Sequence, residues 1–217
     1  MLYGNKPVVV CTYNLSPKEM MFWLYCPIKL GGGYYASLPD SLKQFEGLVN
    51  VSLSNFISSF GASVYEDSWV YLTAKTLYVT DGAKGNREGW HSDGFMTDDI
   101  NYIWSDGNPT EFWEADSPVQ IIQHHTESME EMEKVCVDKI VTYPNKTLLR
   151  LDQSVLHRVN PVITEGVRTF VKVSFSKSFY GHIGNSINHS LEYEHPNLAR
   201  GIERNCPTGL DNKGEYK

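Results

Sequence analysis

The chain lacks the features that mark several common classes of protein. It has only four Cys among 217 residues, and these are scattered without the close pairs that indicate a zinc ribbon or a disulfide framework. No apolar run approaches the roughly 20 residues that span a bilayer. The N-terminal stretch MLYGNKPVVVCTYN has no basic head followed by a long apolar core. We therefore expect no membrane partner and a reducing, cytoplasmic setting.

Basic charge is also scarce. The chain has 19 Lys and Arg against 26 Asp and Glu, which gives a formal net charge of −7. A protein that grips a nucleic-acid backbone or an anionic membrane surface needs a basic face. The charge balance argues against both partners, although it leaves room for a local basic groove. A small molecule or a peptide is the expected partner.

Apolar and aromatic residues are plentiful, at 41% and 12% of the chain. This is enough for a folded core, and the length suits a single domain. Within residues 1–217 the composition indicates three regions: an N-terminal support of helices and strand over 1–66, a β-rich core over 67–177, and an irregular C-terminal segment over 178–217. No internal repeat is present.

The first region predicts both strand and helix. Residues 7–13, PVVVCTY, are β-branched and predict a strand. The stretch SPKE has the form of a capping box, with Ser16 as cap and Glu19 reaching back, and predicts a short helix through about Cys26. Residues 40–60 predict two helical pieces, with Gly61 as the stop.

From residue 68 the pattern changes to short runs of β-formers separated by turn residues. Strands are predicted over 68–80, 100–104, 110–115, 119–125, 139–143, 147–152, 155–159 and 167–176, with an acidic helical turn or lid over 127–135. Short strands at regular spacing are typical of an antiparallel sandwich or jelly roll. The expected fold is mainly β, with the N-terminal helices packed against one sheet.

The stretch WHSDGF, residues 90–95, raises the question of a metal site. Side chains two apart on a strand point to the same face, so His91 and Asp93 could bind one ion together. Two ligands do not make a site, and an ordinary polar turn is equally compatible with this pair. A third ligand is available in His157, on a short apolar strand. Two imidazoles and one carboxylate leave three positions open on octahedral iron and suit Fe(II).

Arg168 opens the last long strand, where Arg168, Phe170 and Lys172 share one face. A buried arginine is costly unless it meets an anion. Its planar guanidinium matches a carboxylate, although a structural salt bridge would satisfy it as well.

The ordered set His91, Asp93, His157 and Arg168 resembles the Fe(II)- and 2-oxoglutarate-dependent oxygenases, in the spacing of the taurine-dioxygenase and phytanoyl-CoA-hydroxylase type. The resemblance covers roughly residues 75–177. Residues 107–113, GNPTEFW, are similar to the Gly-x-Thr strand start of that family. The resemblance implies a double-stranded β-helix, or jelly-roll, core.

The resemblance also implies two cofactors, Fe(II) and 2-oxoglutarate as cosubstrate. Iron would be held by His91, Asp93 and His157. The far carboxylate of 2-oxoglutarate would meet Arg168 and Thr110. Phe170 stands where many relatives carry Ser, so Tyr78 or Lys172 is a further candidate for the cosubstrate contact.

The implied activity is hydroxylation of a C–H bond in a compact substrate: a metabolite, an amino acid or a peptide side chain. Trp90 and Phe95 flank the metal pair and are the expected pocket wall, while Lys84 and Arg87 could hold an anionic group. Adjacent histidines point to opposite faces, so His124 and His125 are not expected to share an ion. The alternatives are a nucleobase hydroxylase of the same family, a non-catalytic metal-binding jelly-roll module and a cupin-like metalloenzyme.

Overall fold

The computed structural model describes residues 1–17 and 19–199. The described chain is mainly β with few helices. Its elements are β1 (Leu2–Tyr3), β2 (Val8–Thr12), β3 (Met21–Lys29), a 3₁₀ helix (Asp40–Phe45), α1 (Glu46–Phe60), α2 (Ala62–Asp67), β4 (Trp69–Val79), β5 (His91–Ser92), β6 (Ile100–Ser105), β7 (Glu111–Trp113), β8 (Val119–Gln120), α3 (His125–Val135), β9 (Ile140–Thr142), β10 (Thr147–Leu151), β11 (Leu156–Arg158) and β12 (Gly166–Ser176).

The larger sheet has six antiparallel strands in the order β2-β10-β6-β12-β4-β3. At its centre β12 pairs with β4 without interruption, from Gly166 opposite Val79 to Ser176 opposite Trp69. Val171 and Val173 enter the main core, whereas Phe170 contacts a different apolar cluster. Successive side chains of β12 therefore point to opposite faces of the sheet, as the period of two along a strand predicts.

The smaller sheet has four antiparallel strands in the order β5-β11-β7-β9. An apolar cluster joins it to the larger sheet, because Phe112 of β7 packs with Ile103 of β6 and Leu149 of β10. This packing brings β5 and β11 opposite the centre of the larger sheet, where the candidate site lies.

The N-terminal helices cover the other face of the larger sheet. Leu48 and Phe56 of α1 are buried in the main core, and the Phe56 ring stacks on Phe175 of β12 with centroids 3.9 Å apart. The segment 40–60 is helical as a 3₁₀ turn followed by α1, which ends at Gly61 in the left-handed region with φ of 95°. None of the helices in the described ranges has the length and apolar character needed to cross a bilayer.

The helix predicted through Cys26 is wrong. The structure has the strand β3 there, paired with β4 from Met21 opposite Thr76 onward. Apolar and aromatic β-formers dominate this stretch, and pairing with a long neighbouring strand overrides a local capping pattern. Lys18, within the predicted cap, lies outside the described residues.

Two other boundaries also differ from the prediction. The strand predicted over 119–125 is reduced to β8, and the chain enters α3 at His125. The irregular C-terminal segment has no strand or helix from residue 178 to 199, and its remainder, 200–217, lies outside the described residues. Asn188 joins this segment to β3 and the loop after it, since its side-chain amide donates to the carbonyl oxygens of Pro27 and Ser37 at 2.9 and 2.8 Å.

A buried lysine joins α2 to β3. The Lys29 ammonium donates to the carbonyl oxygens of Leu30, Glu66 and Ser68 at 3.0, 2.9 and 2.7 Å. Lys29 is fully buried, and this burial lowers its pKa to about 8. One side chain thus serves three carbonyl groups at this junction, although those of Glu66 and Leu30 also accept from the backbone N–H groups of Gly32 and Gly33.

Replacing Lys29 with Met should lower the free energy of unfolding by about 2–3 kcal/mol, because three carbonyl groups would each lose a charged donor. Urea denaturation monitored by tryptophan fluorescence would measure the change. Lys43→Met, at a largely exposed lysine whose partner Asp40 is also exposed, is the matched control and should cost little. Equal stability of the Lys29 variant and the parent would contradict this role.

Candidate metal centre

Two neighbouring strands place the candidate ligands. His91 begins β5 and lies directly opposite His157 of β11 in an antiparallel pair. Asp93 follows β5 two positions after His91, and the chain then turns at Gly94, which has a φ of 75°. A Cβ at Gly94 would come within 2.8 Å of Asp99, so glycine is required for this turn. Strand pairing thus assembles a site from residues far apart in sequence.

The three side chains form one cluster. One ligand atom from each of His91, Asp93 and His157 lies within 4.8 Å of the other two, and the described residues contain no second group of this kind. His91 Nδ1 lies 2.8 Å from the Gly89 carbonyl oxygen, and His157 Nδ1 lies 3.3 Å from that of Val155. Rings that donate from Nδ1 present the Nε2 lone pair to an ion.

The charge states of this cluster suit a divalent cation. Burial and the neighbouring His157 lower the pKa of His91 to about 3, so this ring is neutral. Burial alone would raise the pKa of Asp93, but Lys172 and the two histidines bring it well below the usual range. An ionised carboxylate therefore stands beside the neutral imidazole of His91.

Lys172 completes the surroundings of Asp93. Its ammonium reaches from β12 and lies 3.0 Å from both Asp93 Oδ2 and the Tyr25 hydroxyl oxygen. Burial alone would lower the pKa of Lys172, but Asp93 and Tyr25 raise it above its usual value, so the group is charged. The sequence offered Lys172 as a contact for the cosubstrate, whereas the structure gives it to Asp93.

The cluster opens into a cavity of about 300 Å³. Four parts of the chain supply much of the remaining wall. They are the larger sheet with Tyr25, Lys75 and Phe170, the segment before β6 with Asn86, Arg87 and Phe95, helix α3 with His125, Met129 and Met132, and the C-terminal segment with Tyr180, His182 and Asn185.

Arg168 lies behind the cavity wall rather than in it. It is 4% exposed, its Nε donates to the Gly107 carbonyl oxygen at 2.8 Å, and its guanidinium lies 5.4 Å from the centre of the Phe170 ring. Its Nη2 atom is buried and has no hydrogen-bond partner in the described part of the chain. Thr110, the other residue expected to hold the cosubstrate, lines the cavity. An unsatisfied buried donor beside this wall suits an anionic acceptor.

Three expected site residues lie elsewhere. Tyr78 is 56% exposed on β4; it is an odd number of residues from Lys75, so it faces away from the cavity. Trp90 is 1% exposed and belongs to a second core, where its ring stacks with the Arg158 guanidinium at 4.6 Å. Lys84 pairs with Asp81 and Glu88 at 3.9 and 3.5 Å, outside the cavity.

Other cavity residues escaped the sequence reading. Lys75 lies directly across from Phe170 and points to the cavity, where it donates to Gly85 O at 3.0 Å and to Asn86 Oδ1 at 3.3 Å. Once the pairing of β4 with β12 is known, the period of two along β4 predicts that Lys75 lies on the cavity side of the sheet. His125, which was not expected to share an ion with His124, and Tyr25 also line the cavity, and no local motif marks either.

No protein-family model matches the sequence, and no curated protein does. Among solved structures, the chain is similar to a BsmA homologue from Methylobium petroleophilum, with 15% identity and a TM-score of 0.37 over 73% of this chain and 64% of that one. It thus spans less than two thirds of that protein. It is also similar to an oxidoreductase of the 2OG-Fe(II) oxygenase family from Burkholderia pseudomallei, with 11% identity and a TM-score of 0.40 over 86% of this chain and 76% of that one.

Replacing Asp93 with Ala, or with the near-isosteric Asn, should weaken binding of a divalent ion on the order of 100-fold, because the cluster loses its only anionic ligand. Calorimetric titration with Mn²⁺ would measure the affinity, and thermal unfolding would confirm that the variants fold. Asp98→Ala removes an exposed carboxylate paired with Lys177 and should leave the affinity unchanged. Unaltered Mn²⁺ binding in both Asp93 variants would refute the ligand assignment.

Proposed function

We propose that this protein is an Fe(II)- and 2-oxoglutarate-dependent dioxygenase that hydroxylates a C–H bond of a compact substrate. The observation that carries this proposal is the pairing of the His91, Asp93 and His157 cluster with an unsatisfied, buried Arg168 beside the same cavity. A structural metal site would need the first feature but not the second.

The donor set supports iron as the ion. Two imidazoles and one carboxylate on one side of an octahedral ion suit Fe(II) and leave three positions for other ligands. Iron and 2-oxoglutarate, when bound, would supply the oxidising power, and the protein would position the reactants and exclude water. Residues of α3 and of the C-terminal segment line the cavity together with the two sheets, which supports that second task.

Arg168 and Thr110 support the cosubstrate assignment. The far carboxylate of 2-oxoglutarate would accept from Arg168 Nη2, which has no acceptor within the described residues. The Thr110 hydroxyl, in the cavity wall, would donate a further hydrogen bond. Phe170 packs against the guanidinium and lines the cavity, so its ring would have to leave room for the carboxylate.

The proposed fold is a double-stranded β-helix, or jelly roll. Its support is the two packed antiparallel sheets and the position of the metal cluster on the smaller sheet, facing the larger one. Such an arrangement encloses a cavity between the sheets, as in the family that the sequence resembles.

The cavity supports a compact, anionic substrate. A volume of about 300 Å³ is at the small end for ligand sites. Phe95 and Met129 supply apolar wall, and Lys75 and Arg87 bring two cations. Lys75 takes the place that the sequence gave to Lys84. A metabolite, an amino acid or a peptide side chain with a carboxylate or phosphate fits this lining.

Succinate release from 2-oxoglutarate in the presence of Fe(II), with no other substrate added, would test the proposal. The parent protein should release succinate slowly, and Asp93→Asn should release none. A parent that binds Fe(II) but consumes no 2-oxoglutarate would instead be a metal-binding module or a metalloenzyme without this cosubstrate. If the parent does release succinate, oxygen consumption across a panel of metabolites, amino acids and peptides would identify the substrate. Stimulation by nucleic acid alone would replace our proposal with a base hydroxylase.

Arg168→Ala should weaken 2-oxoglutarate binding roughly 10–100-fold, because a charge-assisted hydrogen bond is lost. Titration of the Mn²⁺-loaded protein with 2-oxoglutarate would measure this, and the Mn²⁺ affinity itself should barely change. Arg150→Ala is a suitable control, since Arg150 bonds to Asn55 and Ser59 of α1, on the face of the sheet opposite the cavity. Equal 2-oxoglutarate affinity in Arg168→Ala would return this residue to a purely structural role.

A further inference from the structure

Lys172 is placed where it alters the charge of the metal centre itself. Its ammonium is buried between the two sheets, 3.0 Å from Asp93 Oδ2. The same carboxylate oxygen lies 3.6 Å from His157 Nε2, the atom that would ligate the ion. Lys172 therefore contacts the oxygen that faces the other ligands.

The ammonium is held in place from several sides. The Tyr25 hydroxyl lies 3.0 Å from it, and the Tyr25 ring packs edge-on against Tyr180 at 5.3 Å. The backbone N–H of Tyr25 donates to Thr73 Oγ1 at 3.0 Å. Tyr25 itself has a φ of 45°, which is unusual for a residue other than glycine. Because this partner is fixed, Lys172 has little freedom to swing away when an ion binds.

Lys172 changes the net charge that an incoming ion meets. In the form that binds a metal, the two imidazoles are neutral and the carboxylate carries −1, so the adjacent ammonium brings the local total to zero. An ion at ordinary coordination distance from Asp93 would lie about 5 Å from this ammonium. At that separation the repulsion between a divalent and a monovalent cation is several times the thermal energy, even with an effective dielectric constant of about 20.

We propose that Lys172 couples metal binding to cosubstrate binding: it weakens the affinity for the ion alone and strengthens that for an anionic ligand placed on the ion. This inference rests on the proposed function. A dianion such as 2-oxoglutarate offsets both the excess charge of the ion and that of the ammonium. Because coupling between two ligands is reciprocal, each should raise the affinity of the other.

Calorimetric titration with Mn²⁺, with and without saturating 2-oxoglutarate, would measure the coupling. The parent should bind Mn²⁺ about 10-fold more tightly when 2-oxoglutarate is present. In Lys172→Met and Lys172→Gln, Mn²⁺ alone should bind about 10-fold more tightly than in the parent, and 2-oxoglutarate should add less. Lys172→Arg keeps the charge and should behave as the parent does. Lys177→Met, at an exposed lysine just beyond β12, is the control for losing a surface charge.

Weaker Mn²⁺ binding in both neutral variants would overturn the inference, since Lys172 would then only orient Asp93 as a ligand. Unchanged coupling in those variants would overturn it as well. Failure of the proposed function gives a different pattern, in which the parent itself binds no Mn²⁺ that depends on Asp93, or binds Mn²⁺ but not 2-oxoglutarate. The metal affinity of the variants, measured without cosubstrate, separates these outcomes.

Discussion

The contact between Lys172 and Asp93 is the constraint on which the candidate site depends. A buried carboxylate is stable only beside a cation or several donors, and a buried ammonium has the same need for an anion. Asp93 follows a strand of the smaller sheet, and Lys172 lies on the larger one. Each satisfies the other across the space between the sheets. The ion pair thus keeps Asp93 ionised and fixes its distance from the larger sheet.

Apolar packing sets the geometry around that pair. The cluster that contains Ile103, Phe112 and Leu149 joins the sheets on one side of the site. On another side, α3 is tied to the segment that carries His91, because Glu133 accepts a hydrogen bond from the Trp90 backbone N–H at 2.7 Å. The cavity therefore has a packed floor and a hydrogen-bonded wall. A rigid support of this kind would hold the candidate metal ligands at fixed distances from one another. Catalysis depends on such fixed positions.

The distribution of charge around the candidate ligands supports the proposed function over a structural metal site. A structural metal site needs no cations in its surroundings, yet Lys75, Arg87 and Lys172 line this cavity and Arg168 lies behind it. In a chain of net charge −7, such a concentration of basic groups is a local feature. It favours anionic ligands on or near the ion, and this is the charge that a dicarboxylate cosubstrate carries.

The sequence by itself determined what depends on short-range pattern: the mainly β character, the helical segment before Gly61, and the shared face of Phe170 and Lys172. It also indicated which residues to consider as candidate ligands, with Arg168 after them. Only the tertiary structure decided what depends on pairing between distant strands. It turned the stretch before Cys26 into a strand, buried Trp90 in a second core, turned Tyr78 outward and brought Lys75 to the cavity. Periodicity gives the two faces of a strand, but the neighbours assembled around it choose which face meets the site.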